Sequence, residues 1–254
     1  MRVRRGLAAA GLVVSMAAWA GPTATPAAAV IVHTPRIAAL AAGANASWAS
    51  SNWSGYAKTG TYRSASANWV VPAVTRTNRP TYSSTWVGID GFNNSNLIQT
   101  GTEQDWFNGS AHYAAWWEIL PAAETVIPSI TVHPGDHFSA SVAQVSGTTW
   151  RISIADTTTG ASFTTTRTYT GPGTSAEWIQ EAPTVNGRIA RLAHYGQTTF
   201  DPDSANGANP ALTPADGGVM IQNNRQVSTP SNPDSDTDGF NVAYGATAPS
   251  PPPS

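Results

Sequence analysis

Hydrophobic residues make up 41% of the 254 and ten are tryptophan, enough for one sizeable core; charged residues are only 11%, against ~25% in an average soluble protein. Zero cysteines exclude disulfides, thiol catalysis and thiolate-bound zinc, and the single lysine, Lys58, leaves little room for Schiff-base or phosphate-loop chemistry. A net charge of −2 argues against nucleic acid or an anionic membrane as partner.

The chain opens with a basic "MRVRR", an apolar "GLAAAGLVVSMAA" and a small-residue "AWA" at Ala18–Ala20, the pattern of a secretory signal peptide over residues 1–20. The apolar run is shorter than the roughly 20 residues of a membrane span, so export is expected rather than anchoring. Residues 21–50 are rich in Ala, Pro and Thr and read as a pro-segment or linker. Residues 51–245 read as one globular unit, and 246–254 ("ATAPSPPPS") as a Pro-rich tail that cannot join a sheet.

Within that unit the predicted elements are strands. "SASANWVVP", "SSTWVGID", "HYAAWWEILP", "SITVHPGDHFSASVAQV", "TWRISIADTTTG", "SFTTTRTYT" and "SAEWIQEAP" are aromatic or β-branched runs punctuated by Gly, Pro, Asn and Asp. Their spacing suggests an all-β sandwich or barrel, with a hairpin about Thr159-Gly160. No run sustains a 3.6-residue apolar period, so long helices are not expected.

Common hydrolase signatures are absent: no G-x-S-x-G, no H-E-x-x-H, no D-[ST]-G. His133 and His137 flank a turn, "HPGDH", rather than a helix face, so no metal site is expected there. "DSDTDG", Asp234 to Gly239, begins like a calcium loop, but its twelfth position is Gly245 where a bidentate Glu is needed. A solvated acidic turn between two strands is the simpler reading, and no metal or cofactor is expected.

The carboxylates are informative. In "SAEWIQEAP", Glu177, Ile179 and Glu181 share one strand face, and in "AAWWEILP", Trp116 and Glu118 share one face with Trp117 opposite. Acids beside aromatics have raised pKa values and suit general acid/base work, although spacing alone fits a polar outer sheet face as well. Gln99 in "NLIQTG" is a similar oddity: a satisfied surface amide, or a donor aimed at an oxyanion.

Together "SNWSGY", "STWVGIDG", "LIQTG", "AAWWEILP", "ITVHPGD" and "AEWIQEAP" resemble, in order, the motifs of the glutamic peptidases, the eqolisin family. "NNRQVSTPS" and "GFNVAYG" are similar to the closing strands of its cysteine-free bacterial members. The resemblance implies a sandwich of two large antiparallel sheets, with a concave substrate groove like that of concanavalin-A-type lectins. It implies a secreted acid endopeptidase acting on polypeptides without metal or cofactor, a monomer by default. The catalytic pair would be Gln99 and Glu181, with Glu118 an acidic groove residue and Trp53, Trp86 and Asp90 at groove and support positions. Glu103 stands where members often carry an acid. Ile119 and Leu120 depart from the aromatics of fungal members, which leaves subsite preference open. The rivals are lectin-like sandwiches, either a glycosidase pairing Glu118 with Glu181 or a binding module without activity.

Overall fold

The computed structural model describes residues 29–39 and 46–254; the expected leader at 1–20 lies outside them. Strands and loops account for the described chain apart from one 3-10 turn, Pro214–Asp216. Two short strands come first, β1 (Ile31–Val32) and β2 (Trp48–Ser50). Then follow β3 (Trp53–Thr59), β4 (Ser64–Val70), β5 (Ser84–Ile89), β6 (Ile98–Phe107), β7 (Ser110–Ile119) and β8 (Thr125–Val126). The middle of the chain forms β9 (His137–Ser146), β10 (Thr149–Asp156), β11 (Ser162–Thr168) and β12 (Ser175–Glu181). Short strands β13 (Thr184–Val185), β14 (Arg188–Ile189), β15 (Gln197–Phe200) and β16 (Ser204–Ala205) lead to β17 (Gly217–Gln222), β18 (Arg225–Pro230) and β19 (Phe240–Tyr244).

The hydrogen-bonded order is β11-β10-β9-β4-β15-β19-β18-β17-β3-β12-β5-β6-β7-β8, antiparallel along this path. The sheet bends over on itself, so its β9/β4/β10 half packs against its β12/β5/β6 half. Trp69, Phe138, Val142, Ile152 and Phe200 from one half meet Val87, Ile89, Ile98, Ala115 and Trp178 from the other. This is the expected all-β sandwich of large antiparallel sheets. The expected hairpin is present too: β10 and β11 are joined through a turn closed by Asp156 N–H to Ala161 O at 2.9 Å.

Burial patterns separate the two halves. β4 and β9 alternate between buried and half-buried side chains, as strands with one wetted face do. β5 and β12 are buried at every position. Their second face therefore needs a cover, and part of that cover comes from the stretch whose composition reads as linker. β1 pairs with β13, β2 pairs in parallel with β17, and His33 and Ser50 are wholly buried. "SITVHPGDHFSASVAQV" is not one run: Pro134 and Gly135 turn the chain, and the strand starts at His137. The Pro-rich tail joins no sheet, although Ser250 O accepts a hydrogen bond from Asn241 Nδ2 at 2.9 Å.

Candidate active site

Directly opposed residues of an antiparallel pair project to the same side, so register alone assembles the site. One row across the sheet is Glu177, Gly88, Gln99 and Glu118; the next is Ile179, Trp86, Gly101 and Trp116; the third is Glu181, Ser84 and Glu103. Trp53 of β3 stands opposite Glu181. Nine side chains singled out in the sequence thus share one face, the one turned away from the inter-sheet core. Trp53, Trp86, Trp116 and Ile179 form its apolar floor with Leu97. Glycine is required where the floor is tightest. A Cβ on Gly101 would lie 2.5 Å from Trp86 Cβ and 2.3 Å from Thr85 O, and one on Gly88 would crowd Gln99 Cβ at 3.1 Å.

The face is covered by residues 30–37, laid across it in extended form. β1 fixes one end, helped by Asn186 N–H to Val30 O (2.9 Å) and Glu124 N–H to Ile31 O (3.2 Å). At the other end Arg36 N–H donates to Gly91 O at 3.0 Å and Ile37 N–H to Asn52 Oδ1 at 2.8 Å. Midway, the Gln99 amide Nε2 donates to His33 O at 2.9 Å and to Glu118 Oε2 at 2.7 Å. His33 N–H in turn donates to both Glu118 oxygens, at 3.1 and 3.3 Å. Gln99 thus grips a peptide carbonyl, as an oxyanion donor must.

The His33 side chain enters the face itself. Its ring stacks on Trp116, centroids 3.7 Å apart and planes within 6°. Nδ1 lies 3.1 Å from Glu181 Oε2, and Nε2 lies 3.2 Å from Glu124 Oε2 and 2.9 Å from Glu103 Oε1. An imidazolium, with an N–H on each ring nitrogen, satisfies the acids on both sides of the ring. Burial alone would lower the His33 pKa, but the charge of Glu103 and the hydrogen bonds to Glu124 and Glu181 hold it well above the usual histidine value. Glu181 is braced further by Trp86 Nε1–H at 2.8 Å and Asn52 Nδ2–H at 3.4 Å.

The other acids are pushed upward. Burial, opposed by His33 and reinforced by Glu181, takes Glu118 to about 8. Burial, again opposed by His33, takes Glu103 to about 7, and burial beside Glu103 raises Asp105 well above its ordinary range. His33, Asn52 and Glu124 are the site residues that sequence reasoning missed. His33 sits in a stretch whose composition reads as linker, and its one local signal is a lone histidine behind the β-formers Ile31 and Val32.

The model of the Peptidase A4 family matches residues 51–244. The chain belongs to the peptidase A4 family of glutamic peptidases. It is 28% identical over 196 residues to Aspergillopepsin-2 of Aspergillus niger, covering 67% of this chain and 70% of that protein. Its fold superposes on scytalido-glutamic peptidase, solved with a transition state analog inhibitor, at a TM-score of 0.66 with 25% identity, over 76% of this chain and 98% of the other. For aspergilloglutamic peptidase from Aspergillus niger the TM-score is 0.54 with 27% identity, over 65% and 99%.

Two further candidate residues of this peptidase, Asp90 and Glu177, sit apart from His33. Asp90, in a left-handed conformation (φ 74°) just after β5, accepts hydrogen bonds from Tyr169 Oη (2.7 Å), Gly173 N (2.8 Å) and Thr174 N (2.8 Å), and so ties down the loop before β12. Glu177 shares the face that carries Gln99 and Glu118 but is fully buried; burial raises its pKa well above normal, opposed by Ser175 and reinforced by Asp90.

Among the described residues, two sets of side chains lie close enough to hold a cation, His33/Glu103/Glu124 and Asp201/Asp234/Asp238. The first is an imidazole ion pair in which the histidine nitrogens face acids. The second corrects the reading of Asp234–Gly239 as a solvated turn. It does lie between two strands, β18 and β19, but Asp234 is only 6% exposed and packs with Asp201 from the loop after β15.

Proposed function

We propose that this glutamic peptidase is a secreted acid endopeptidase whose reacting groups are Gln99 and Glu181, with its pro-segment lying within residues 21–50. Membership of the peptidase A4 family implies peptide hydrolysis; the assignment of roles rests on this chain's own geometry. The observation that carries it is the placement of one peptide unit: the Gln99 amide donates to the His33 carbonyl while Glu181 lies against the same residue.

In the proposed reaction, ionised Glu181 takes a proton from water as the oxygen adds to the scissile carbonyl. Gln99 Nε2–H donates to the oxyanion, and Glu181 returns the proton to the departing amine. Glu118 orients Gln99 by accepting its second amide hydrogen and holds the substrate N–H that His33 now supplies. The raised pKa of Glu118 favours acid pH, where its proton removes a negative charge from beside the ionised base. A small set of donors held by a rigid sheet supplies the orientation that loops would not.

Casein digestion at about pH 3–4 tests the roles. Gln99→Ala should lower kcat by about 10²–10³, the usual effect of losing an oxyanion donor. Glu181→Gln should lose at least about 10²–10⁴, with both variants showing wild-type circular dichroism. A folded, active E181Q enzyme would remove Glu181 from the reaction. Mass spectrometry of culture supernatant tests export and the removal of residues 1–20.

A further inference from the structure

We propose that the box formed by Trp116, Glu103, Glu124 and Glu181 is the subsite for the residue whose carbonyl Gln99 holds, that it selects histidine, and that the His33–Thr34 bond is this chain's own first substrate. This inference rests on the Gln99/Glu181 reading above.

The segment across the face is seated mainly through its backbone. Val30 O, Ile31 O, His33 N–H and O, Thr34 O, Pro35 O and the N–H groups of Arg36 and Ile37 all meet the protein, with Asn52 Nδ2 reaching both Thr34 O and Pro35 O at 3.2 Å. Such contacts are blind to side chains, so they can hold any extended peptide. Selection is concentrated at one position. His33 is wholly buried, whereas every other described residue of segment 29–39 is half-buried or exposed.

The box fits a flat cation with two opposed donors. The Trp116 face accepts the ring in parallel contact, Glu181 meets one nitrogen, and Glu103 and Glu124 meet the other. Phenylalanine would stack but would offer none of the three acids an N–H donor, leaving Glu181 with Trp86 and Asn52 alone. Lysine brings one point charge and no flat face to lie on the indole, and alanine fills nothing. A site built around polar partners discriminates strongly against a side chain that lacks them.

The bond past His33 stands where hydrolysis would occur. Water adds its oxygen to the His33 carbonyl carbon and its proton goes to Glu181; the His33 C–Thr34 N bond breaks, and the proton passes to the Thr34 nitrogen. The products are one chain ending in the His33 carboxylate and one beginning with the Thr34 amine. Until then the segment closes the site.

The test has two arms. Quenched fluorescent peptides Ile-Val-X-Thr-Pro-Arg are offered to wild-type enzyme at acid pH, and the full chain is expressed and its amino terminus read. The expected result is cleavage after X with kcat/KM for histidine at least about 10²-fold above phenylalanine, lysine or alanine, and a wild-type product beginning at Thr34. In Glu103→Gln/Glu124→Gln that preference should fall toward about tenfold, read as the ratio of kcat/KM for the histidine and phenylalanine peptides in the same variant. Full-length His33→Ala should lose the Thr34 terminus. Equal or faster cleavage after phenylalanine, casein digestion without any cleavage of the histidine peptide, or a wild-type product lacking the Thr34 terminus overturns the proposal while leaving Gln99 and Glu181 in place. An active E181Q enzyme instead removes the dyad reading itself.

Discussion

Two knots of acid stand in this low-charge protein, and they are neutralised differently. In the groove, Glu103, Glu124 and Glu181 converge on the imidazole of His33, a cation delivered by the chain's own early residues. Beneath β15 and β19, Asp201, Asp203, Asp234 and Asp238 converge with no lysine, arginine or histidine at ion-pair distance among the described residues. Asp203 is wholly buried, with neither oxygen hydrogen-bonded. A buried carboxylate without a partner keeps its proton, so the second knot is held by protonation and the first by a charge pair. The difference teaches that acidity has two uses here. One knot tolerates acid because it is already protonated there, whereas the other is built around a histidine supplied by the segment that crosses the groove.

Removing the histidine should have the largest effect. In full-length E181Q, which cannot process itself on the reading above, His33→Ala leaves Glu103 and Glu124 buried without their cation. Breaking such a pair costs about 3–5 kcal/mol where the structure cannot relax. Here the segment has an easier escape: it lifts off. Limited tryptic cleavage after Arg36 at pH 7 should therefore run at least about tenfold faster in the double variant than in E181Q alone. Equal rates would mean that backbone contacts, not the imidazole, hold the segment down.

Why the first knot was half legible follows from how each part is encoded. Period-two parity in "AEWIQE" and "AAWWEI" already places Glu177, Ile179 and Glu181 on one face and Trp116 with Glu118 on another. The motif resemblance adds Gln99, and strand register then makes these a single face. His33 carries no such local code. Its partners lie 70 to 148 positions away in β6, the loop before β8, and β12, and only tertiary packing brings them together. The Asp knot is similar: "DSDTDG" announces acids, but not that Asp201 and Asp203 come to meet them from the far side of the β15–β19 pair.

The second knot predicts an effect of middle size and opposite tendency. Burial, then Asp238, Asp201 and Asp234, raises the Asp203 pKa in the fold well above its unfolded value. A carboxyl with a raised folded pKa contributes stability that is fully present below the unfolded pKa, about 3.9, and is lost as pH rises through the folded pKa. Wild-type stability should therefore decline from acid toward neutral pH. Asp203→Asn, which cannot ionise, should flatten the decline by about 1–3 kcal/mol between pH 4 and 7, read from urea midpoints in an E181Q background. An unchanged slope would show that the knot is neutralised by something other than protons.

The smallest effect sharpens the contrast by isolating one acid. Glu177 shares the face of Gln99 and Glu118 but touches neither knot, and the charge that acts on it is that of Asp90, itself satisfied by Tyr169, Gly173 and Thr174. Burial, then Asp90, raises its pKa, so the sign is that of Asp203: its contribution is present below about 4.3, its unfolded value, and is lost as pH climbs through the folded value. Glu177→Gln keeps the volume and removes the titration. It should leave stability at pH 4 within about 1 kcal/mol of wild type and raise it at pH 7 by about as much. Casein digestion at acid pH should stay within a factor of about three, because the side chain reaches neither Gln99 nor His33 by any hydrogen bond. A tenfold loss of kcat with unchanged KM would make Glu177 a positioning residue for the row that it shares with Gly88, Gln99 and Glu118.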